Sequence, residues 1–457
     1  MVTQERTVWC VFLFFLPLSF LTLPGLWPPL RGRGITPAHH VGWGKGCKER
    51  IKKFYWNCVC LLLLCQCMKK NLIAILLSVI TTVANAGFQT RAKSAFLMDY
   101  DSGVEIVAKN ADVLMPPSSM IKLMTLAVLF DEIKNGNLTL DSVLTVGKNA
   151  DYNRTEWYPA SKICLVAGQM ITVRDLILGI IVLSGGDASV VVAEHIAGSE
   201  NAFTGKMTEL ARDIGMNQST FGNASGLPDP NNLMTSRELA MLANHLISEH
   251  SELYPMFGTK RFEYDGHQSD WCREWGRTHT LNYNKLLFNM RGADGLKTGH
   301  TADGGYGMVA SAKVGGRRLV GVINGFNGKG HDALAAEMKK LLEYGYQNTV
   351  GKVFFDANEK ITEIPVWYGV KPTVNATVTK PFAVTVDKKD GLKNIRILAR
   401  YDEPIAAPVR VGDVVGELIA EQNGRVIARA PMIAQNKVRK TILFGRLFKN
   451  IKVLLGF

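Results

Sequence analysis

Cysteine is scarce in most of this 457-residue chain. Six of the eight cysteines precede residue 68, and only Cys164 and Cys272 follow it. Two cysteines form at most one disulfide, and the sequence leaves open whether they pair or remain two free thiols. A chain of this length has enough apolar residues to build a core, so we exclude a small disulfide-stapled scaffold.

Acidic residues are missing from the end of the chain. After Glu421 there are eight Lys or Arg residues and no Asp or Glu. Residues 1–67 hold another eight basic and only two acidic residues, and two lysines follow directly. The formal charge of +13 therefore resides at the two ends, and residues 87–421 sum to about −3. Such a body disfavours a phosphate-binding groove, so we expect no nucleic-acid partner.

Residues 68–86, MKKNLIAILLSVITTVANA, are typical of a secretory signal peptide. A methionine and two lysines precede an apolar stretch too short to span a bilayer comfortably, and small residues end the segment. The mature protein would then begin near Gly87 and act outside the cytoplasm. A buried helix is the alternative interpretation of this segment.

Residues 1–67 fit no structural class well. Their apolar part is broken by proline, and CVCLLLLCQC crowds four cysteines together. We interpret them as an extension from a mis-called start, with Met68 as the natural one. The alternative is a membrane anchor or a longer leader, because residues 11–27 are nearly long enough to insert.

Residues 87–350 predict a mixed α/β domain. SAFLMDYDSGVEIVAKN predicts two strands joined by an Asp-Ser-Gly turn, and YGMVASAKV and RRLVGVINGF flank a Gly-Gly hairpin turn. A helix should begin where Thr172 and Asp175 stand at capping-box spacing, and a second should follow SGGD at once. An amphipathic helix is predicted over residues 333–349. Helices combined with antiparallel strands indicate an α/β arrangement.

Residues 351–436 alternate apolar and polar residues in short segments separated by Pro and Gly, which predicts an all-β domain. In residues 437–457 an amphipathic helix would place its apolar side chains on one stripe, with Arg446, Lys449 and Asn450 opposite. Such a helix would lie in the membrane interface, with its cations near anionic headgroups. The alternative is that it packs on the β domain.

A lysine interrupts the apolar segment LMPPSSMIKLMTLAVLF, residues 114–130. Residues three apart share a helix face, so Lys122 lies beside Ser119. An amine among apolar neighbours loses hydration, and its neutral form can accept the proton of a serine hydroxyl. The helix N-terminus would stabilise the developing alkoxide. Alone, S-x-x-K is more typical of a lysine that extends to solvent.

Two further motifs follow in a fixed order. Ser184 begins SGG in a tight loop between two predicted helices, and Lys297 begins KTG in a strand-like segment. The order S-x-x-K, S-G-x, K-T-G resembles the penicillin-recognising serine acyl enzymes. The surrounding segments, VRDLILGIIVLSGGDASVVVAE and GADGLKTGHTADGGYGMVASA among them, resemble more closely the D-alanyl-D-alanine carboxypeptidases among low-molecular-mass penicillin-binding proteins. This similarity extends from residue 68 to the last residue.

The resemblance implies an architecture, a location and a reaction. The fold would be β-lactamase/transpeptidase-like, with an antiparallel sheet flanked by helices plus a helical subdomain, then a small all-β domain and a C-terminal amphipathic helix. The protein would be periplasmic and held peripherally on the outer face of the inner membrane. It would remove the terminal D-alanine of peptidoglycan stem peptides, be inhibited by β-lactams, and need no metal or cofactor.

The same resemblance assigns the chemistry to three side chains. Ser119 would attack the carbonyl between the two terminal D-alanines, and Lys122 would take its proton. Ser184 would relay a proton toward the leaving amine. Water would then release the acyl enzyme.

Four consecutive residues would bind the substrate. Lys297 and Thr298 would hold the terminal carboxylate, for which a cation and a hydroxyl on a strand edge are suited. Gly299 would let substrate lie close against the strand. The main-chain N–H groups of Ser119 and His300 would form the oxyanion hole, in which each donor contributes about 3 kcal/mol.

Gly186 departs from the family pattern, in which an Asn amide would bridge the catalytic lysine and the substrate. Asp187 follows that position in the family too, so it is no evident replacement, and Tyr283 stands where many relatives carry an arginine. These departures concern rate and substrate preference. They leave open the alternative that the protein is catalytically weak, binds stem peptides and shapes the cell wall. A class A-type β-lactamase is a second alternative, although no E-x-x-x-N follows the second motif.

Overall fold

The structure is a computed structural model. It describes residues 88–154, 160–266, 270, 272–274, 279–302 and 304–442. The predicted leader and most of the predicted C-terminal helix lie outside the described residues. Of the helices described, none has both the length and the apolarity needed to cross a membrane.

A five-stranded antiparallel sheet has the order β2-β1-β7-β6-β5. Its strands are β1 Ala92–Asp99, β2 Glu105–Lys109, β5 Ala293–Thr301, β6 Gly305–Val314 and β7 Arg317–Phe326, and a separate short hairpin pairs β3 Val143–Thr145 with β4 Met170–Thr172. Both predicted hairpins are confirmed. Gly315 and Gly316 join β6 to β7 with φ of 60° and 87°, which two-residue hairpin turns require. β5 is an edge strand.

Seven α-helices pack around this sheet within the described residues. They are α1 Lys122–Lys134, α2 Val173–Val182, α3 Gly186–Ala197, α4 Glu200–Ile214, α5 Ser236–Glu249, α6 Leu286–Asn289 and α7 Gly330–Asn348. The predicted cap is present, since Thr172 Oγ1 accepts a hydrogen bond from the Asp175 N–H at 3.1 Å. The helix predicted over 333–349 begins three residues earlier and ends one residue earlier.

The helix α1 is the centre of the largest core. Each of its first nine residues, from Lys122 to Phe130, is buried. A helix that is apolar on all sides must be surrounded by other elements, and α3, α4, α5 and β5 contact it. The lysine at its start is therefore enclosed by protein.

Residues 349–434 form strands with a core of their own. One sheet has the order β12-β14-β15-β10-β9-β13, and β8 pairs with β11. The strands are β8 Thr349–Phe355, β9 Thr362–Trp367, β10 Thr373–Thr377, β11 Phe382–Asp387, β12 Ile395–Arg400, β13 Ile405–Ala406, β14 Val414–Gln422 and β15 Arg425–Ala434. β8 follows α7 directly, and Ser102 Oγ donates to Thr385 Oγ1 at 2.9 Å across the junction.

The two cysteines that follow residue 67 are bonded. Cys164 and Cys272 form a disulfide with a Cα–Cα distance of 6.0 Å, so the alternative of two free thiols is wrong. The bond joins the segment before α2 to residues far downstream, across a sequence separation of 108.

Candidate active site

A cavity of about 650 Å³ lies where the start of α1 meets the edge strand β5 and the turn before α3. Its described lining residues are Ser119, Lys122, Ala160, Ser161, Ser184, Gly186, Ser225, Gly226, Leu227, Pro228, Tyr283, Thr298, Gly299, His300, Thr301, Ala302 and His331. None of them carries a carboxylate or thiol, so they offer no ligand set typical of a metal centre.

The first motif is assembled at the start of α1. A 3₁₀ turn, Ser118–Ile121, precedes the helix, so Ser119 stands one turn before Lys122. Lys122 Nζ lies 3.0 Å from Ser119 Oγ and also donates to the Ser225 carbonyl. Lys122 is only 2% exposed. Burial lowers the pKa of Lys122 to about 7, although Asp187 and Glu200 partly oppose that shift.

The neighbouring serine has a different partner. Ser118 Oγ lies 3.0 Å from Thr301 Oγ1, and Ser118 is buried with φ of 51°. The structure thus brings Ser119, and not Ser118, to the buried amine, as the spacing predicted.

The second and third motifs meet in a direct contact. Lys297 Nζ donates to Ser184 Oγ at 2.9 Å and to the Thr298 carbonyl at 3.0 Å. Ser184 has φ of 58°, a conformation that costs a non-glycine residue about 1–3 kcal/mol and is typical of functional sites. Burial, together with the charge of Lys122, lowers the pKa of Lys297 well below its ordinary value. Its charge therefore depends on an anionic partner, which the sequence argument did not anticipate.

The structure gives a second reason for a glycine at position 299, which the sequence did not reveal. A Cβ at this position would lie 2.8 Å from the Pro117 carbonyl oxygen and 3.1 Å from the Ser119 nitrogen. The glycine therefore lets β5 approach the turn that carries Ser119. The imidazole of His300, the next residue, is exposed, and its ring centroid lies 4.0 Å from that of Tyr306.

Gly186 and Asp187 play different parts. Gly186 lines the cavity at the start of α3 and has no side chain to offer. Asp187 does not line the cavity: it is fully buried, and its carboxylate accepts the N–H groups of Ile163 and Leu165 at 3.0 and 3.1 Å. Asp187 is thus a positioning residue for the segment around Cys164.

Several lining residues were not found from the sequence. The loop GNASGLPDPNN contributes the Ser225 carbonyl, and it is held by Glu200 Oε1, which accepts the Ala224 N–H at 2.8 Å. The composition of this loop predicted only turns. Tyr283 stacks on His331, with ring centroids 5.1 Å apart, and both line the cavity. Nothing in the sequence brought His331 to the site, since it lies beyond the last motif.

The arrangement supports acyl transfer. A half-buried hydroxyl faces an amine whose neutral form is accessible near neutral pH, which pairs a nucleophile with its base. On the edge strand β5, the hydroxyl-bearing side chain of Thr298 lines the cavity, and the buried amine of Lys297 donates to Ser184, which also lines it.

Comparison with known proteins places the chain among related sequences. A family model described as D-alanyl-D-alanine carboxypeptidase matches residues 80–327, and a model of the C-terminal domain of penicillin-binding protein 5 matches residues 352–440. The D-alanyl-D-alanine carboxypeptidase DacA of Haemophilus influenzae is 32% identical over 367 residues, which cover 79% of this chain and 88% of that protein. DacC of Escherichia coli is 33% identical over 362 residues, covering 78% and 86%.

Solved structures agree with this grouping. Penicillin-binding protein 5 from Haemophilus influenzae has a TM-score of 0.69 at 30% identity and covers 78% of this chain and 99% of that chain. Penicillin-binding protein 6B from Escherichia coli has a TM-score of 0.60 at 28% identity, covering 77% and 98%. The predicted architecture of an antiparallel sheet with flanking helices and a following β domain is therefore confirmed.

Proposed function

The chain belongs to the D-alanyl-D-alanine carboxypeptidase family, and from this membership we propose how its residues perform the reaction. It is a serine-type hydrolase of the penicillin-binding protein class. The observation that carries the residue assignment is the 3.0 Å contact between Lys122 Nζ and Ser119 Oγ in a buried site. We assign Ser119 as the nucleophile and the neutral amine of Lys122 as its general base.

In the acylation step, Ser119 Oγ forms a bond to the penultimate D-alanine carbonyl carbon while Lys122 accepts the hydroxyl proton. The main-chain N–H groups of Ser119 and His300 stabilise the oxyanion. When the C–N bond breaks, Ser184 passes its hydroxyl proton to the leaving amine and regains one from protonated Lys122, which becomes neutral again, and D-alanine departs. A water then attacks the ester while Lys122 takes its proton, and Lys122 passes that proton to Ser119 Oγ as the ester C–O bond breaks.

The substrate is held on β5. An edge strand presents unpaired main-chain groups, to which an extended peptide can add as a further strand. Lys297 and Thr298 then bind the terminal carboxylate. The arriving carboxylate favours the ammonium form of Lys297, because an opposite charge at close range raises an amine pKa. The stem peptides of peptidoglycan carry such an end, and a β-lactam presents a carboxylate and a reactive carbonyl in the same relation.

We further propose that residues 437–457 attach the protein peripherally to the outer face of the inner membrane and that residues 68–86 direct it to the periplasm. The basic, acid-free end of the sequence supports the first statement, and the order of charged, apolar and small residues supports the second. Residues 1–67 we attribute to a mis-called start. Residues 1–86 and 443–457 lie outside the described residues.

A second candidate rests on Gly186, which leaves the cavity without the family's amide. It is a weak enzyme that mainly binds stem peptides. The experiment that separates the candidates incubates purified protein with a fluorescent penicillin and with a pentapeptide ending in D-Ala-D-Ala. Stable acylation with D-alanine release supports the carboxypeptidase. Rapid penicillin hydrolysis would indicate a β-lactamase, and the absence of both products would indicate a binder.

A further inference from the structure

Two helix C-termini meet far from the cavity and bring together one carboxylate and two imidazoles. Asp131 lies in the last turn of α1, His245 lies near the end of α5, and His250 follows α5 directly. One ligand atom from each of the three side chains lies within 4.8 Å of the others. The cluster is nine residues beyond Lys122 on the same helix, about 13 Å along its axis.

The imidazoles lack hydrogen-bond partners inside the protein. The Nε2 atoms of His245 and His250 are both buried and accept or donate no hydrogen bond. The His250 side chain is only 1% exposed, and its Nε2 lies 3.4 Å from Asp131 Oδ1 without hydrogen-bond geometry. Buried polar atoms without partners are rare in native proteins, and an absent ion is one of the explanations.

The spacing suits a tetrahedral metal. Zinc binds imidazole nitrogen and carboxylate oxygen at about 2.0–2.2 Å, so two of its ligand atoms stand about 3.4 Å apart. The His250–Asp131 distance already has this value. The ligand atom of His245 lies within 4.8 Å of the other two and would have to move closer to bind the same ion, and the partial exposure of Asp131 leaves room for a water as fourth ligand.

The surrounding charges favour a divalent cation. Asp131, Glu132 and Glu249 are acidic, and two lysines lie beside them: Lys134 pairs with Glu249 at 3.1 Å, and Lys206 lies 4.0 Å from Glu132. The sum of these charges is −1 when the imidazoles are neutral. The two helix C-termini add negative partial charge.

We propose that Asp131, His245 and His250 bind one Zn²⁺ ion that links the C-terminal ends of α1 and α5. This site is structural and separate from the acyl-transfer chemistry. Because the 3₁₀ turn that carries Ser119 leads directly into the other end of α1, the metal would hold the base of the helix that positions Ser119.

Isothermal titration of the EDTA-treated full chain with ZnCl₂ tests the proposal. We expect one zinc per chain, and a rise in the unfolding temperature of about 3–6 °C at a hundredfold excess over Kd. Asp131→Asn keeps the shape of the side chain and removes the charge, so it should weaken binding more than about 10-fold without loss of folding. His245→Gln should do the same, with folding checked by circular dichroism in EDTA.

His195→Gln is the matched control, because His195 is exposed near the end of α3 and belongs to no such cluster. It should bind zinc as the parent does. The proposal is overturned if the parent protein binds no zinc at about 100 μM, a concentration about tenfold above a Kd of about 10 μM. Equally, unchanged affinity in both Asp131→Asn and His245→Gln would assign any bound zinc to other residues.

Discussion

At the level of single residues, two lysines stand where a charged amine is costly. Lys122 and Lys297 are 2% and 1% exposed, and burial lowers the pKa of both, with the charge of Lys122 lowering that of Lys297 further. The neutral form of Lys122 is what the nucleophile needs, whereas the ammonium form of Lys297 is what a carboxylate needs. One buried pair of amines can satisfy both needs, because the substrate's own charge arrives beside only one of them.

The pH profile of acylation should report Lys122. Its pKa is lowered to about 7, and only the deprotonated amine accepts the Ser119 proton, so the rate of acylation should rise with pH through about 7 and level off above 8. Below pH 6 it should fall about 10-fold per unit. Stopped assays with a fluorescent penicillin between pH 5.5 and 9 measure this.

Lys122→Arg should abolish acylation, since a guanidinium stays protonated throughout that range. Lys162→Arg is the control, because Lys162 is also buried but does not line the cavity. A profile that is flat across pH 6–8 in the parent would show that Lys122 is not the base.

Gly186 offers a test in which activity should increase. Gly186→Asn places an amide where the family pattern has one, and φ at this position is not in the left-handed region, so the backbone accepts a side chain. One added hydrogen bond to the bound peptide is worth about 0.5–1.5 kcal/mol, which predicts a rise of about 2- to 12-fold in kcat/KM for D-alanine release.

Gly186→Ala separates the amide from the added Cβ. It should leave kcat/KM for the pentapeptide within about twofold, because it restores no hydrogen bond. Equal rates for the two variants would mean that the missing amide is irrelevant to this enzyme.

The site residues that the sequence revealed are those that belong to motifs. Ser119 and Lys122 follow from helical spacing, and their contact needs no knowledge of the rest of the fold. The meeting of Ser184 with Lys297 followed only from resemblance, since 113 residues separate them. The sequence did not predict that Ser225 and His331 line the site. Ser225 contributes a main-chain carbonyl, which any residue could supply, and the single His331 belongs to no motif.

At the level of elements, local signals placed most helices and strands. The capping pair at Thr172, the Gly-Gly turn and the alternating strands each act over a few residues, so the sequence specifies them directly. The burial of α1 on all sides was visible as an apolar run. The pairing of Cys164 with Cys272 could not be predicted from the sequence, because it depends on how distant segments pack.

Asp187 joins two such elements. It anchors the segment Ile163 to Leu165 onto the start of α3, and its loss would leave two buried N–H groups without acceptors. Asp187→Ala should therefore lower the free energy of unfolding by about 2–5 kcal/mol. Urea denaturation of the oxidised protein measures the loss.

Asp213→Ala removes an exposed carboxylate on α4 and serves as its control, with an expected change within about 0.5 kcal/mol. A loss for Asp187→Ala as small as that of the control would mean that the segment is held by other contacts.

At the level of the whole molecule, an α/β part and an all-β part with its own core follow each other along the chain, and the basic end comes last. The junction is polar: Arg317 Nε donates to Asp99 Oδ2 at 2.6 Å, and its guanidinium also bonds Thr349 at the start of β8. The sequence predicted the position of the change from helices and strands to strands alone to within a few residues of the start of β8. The contacts between the α/β part and the all-β part could not be predicted from the sequence, since they involve residues that are far apart in the described chain.

Truncation after Lys440 should free the protein from membranes and leave peptide cleavage unchanged, because the cavity is built from residues before 332. Sedimentation with anionic vesicles measures the first effect and D-alanine release the second.

Leu447→Glu in the intact chain should weaken sedimentation, since Leu447 is on the predicted apolar stripe. Asn450→Glu adds the same charge to the opposite face and should have the smaller effect. A truncated protein that still pellets would place the attachment elsewhere.

The most direct measurement locates the acyl group. Penicillin-treated protein is digested with trypsin, and the peptide released by cleavage after Lys109 and Lys122 is sequenced by mass spectrometry. It contains both Ser118 and Ser119, so Ser118→Ala and Ser119→Ala are treated in parallel. The account predicts an adduct on Ser119 that survives Ser118→Ala and disappears in Ser119→Ala. An adduct that persists in Ser119→Ala, or one found on Ser184, would contradict it.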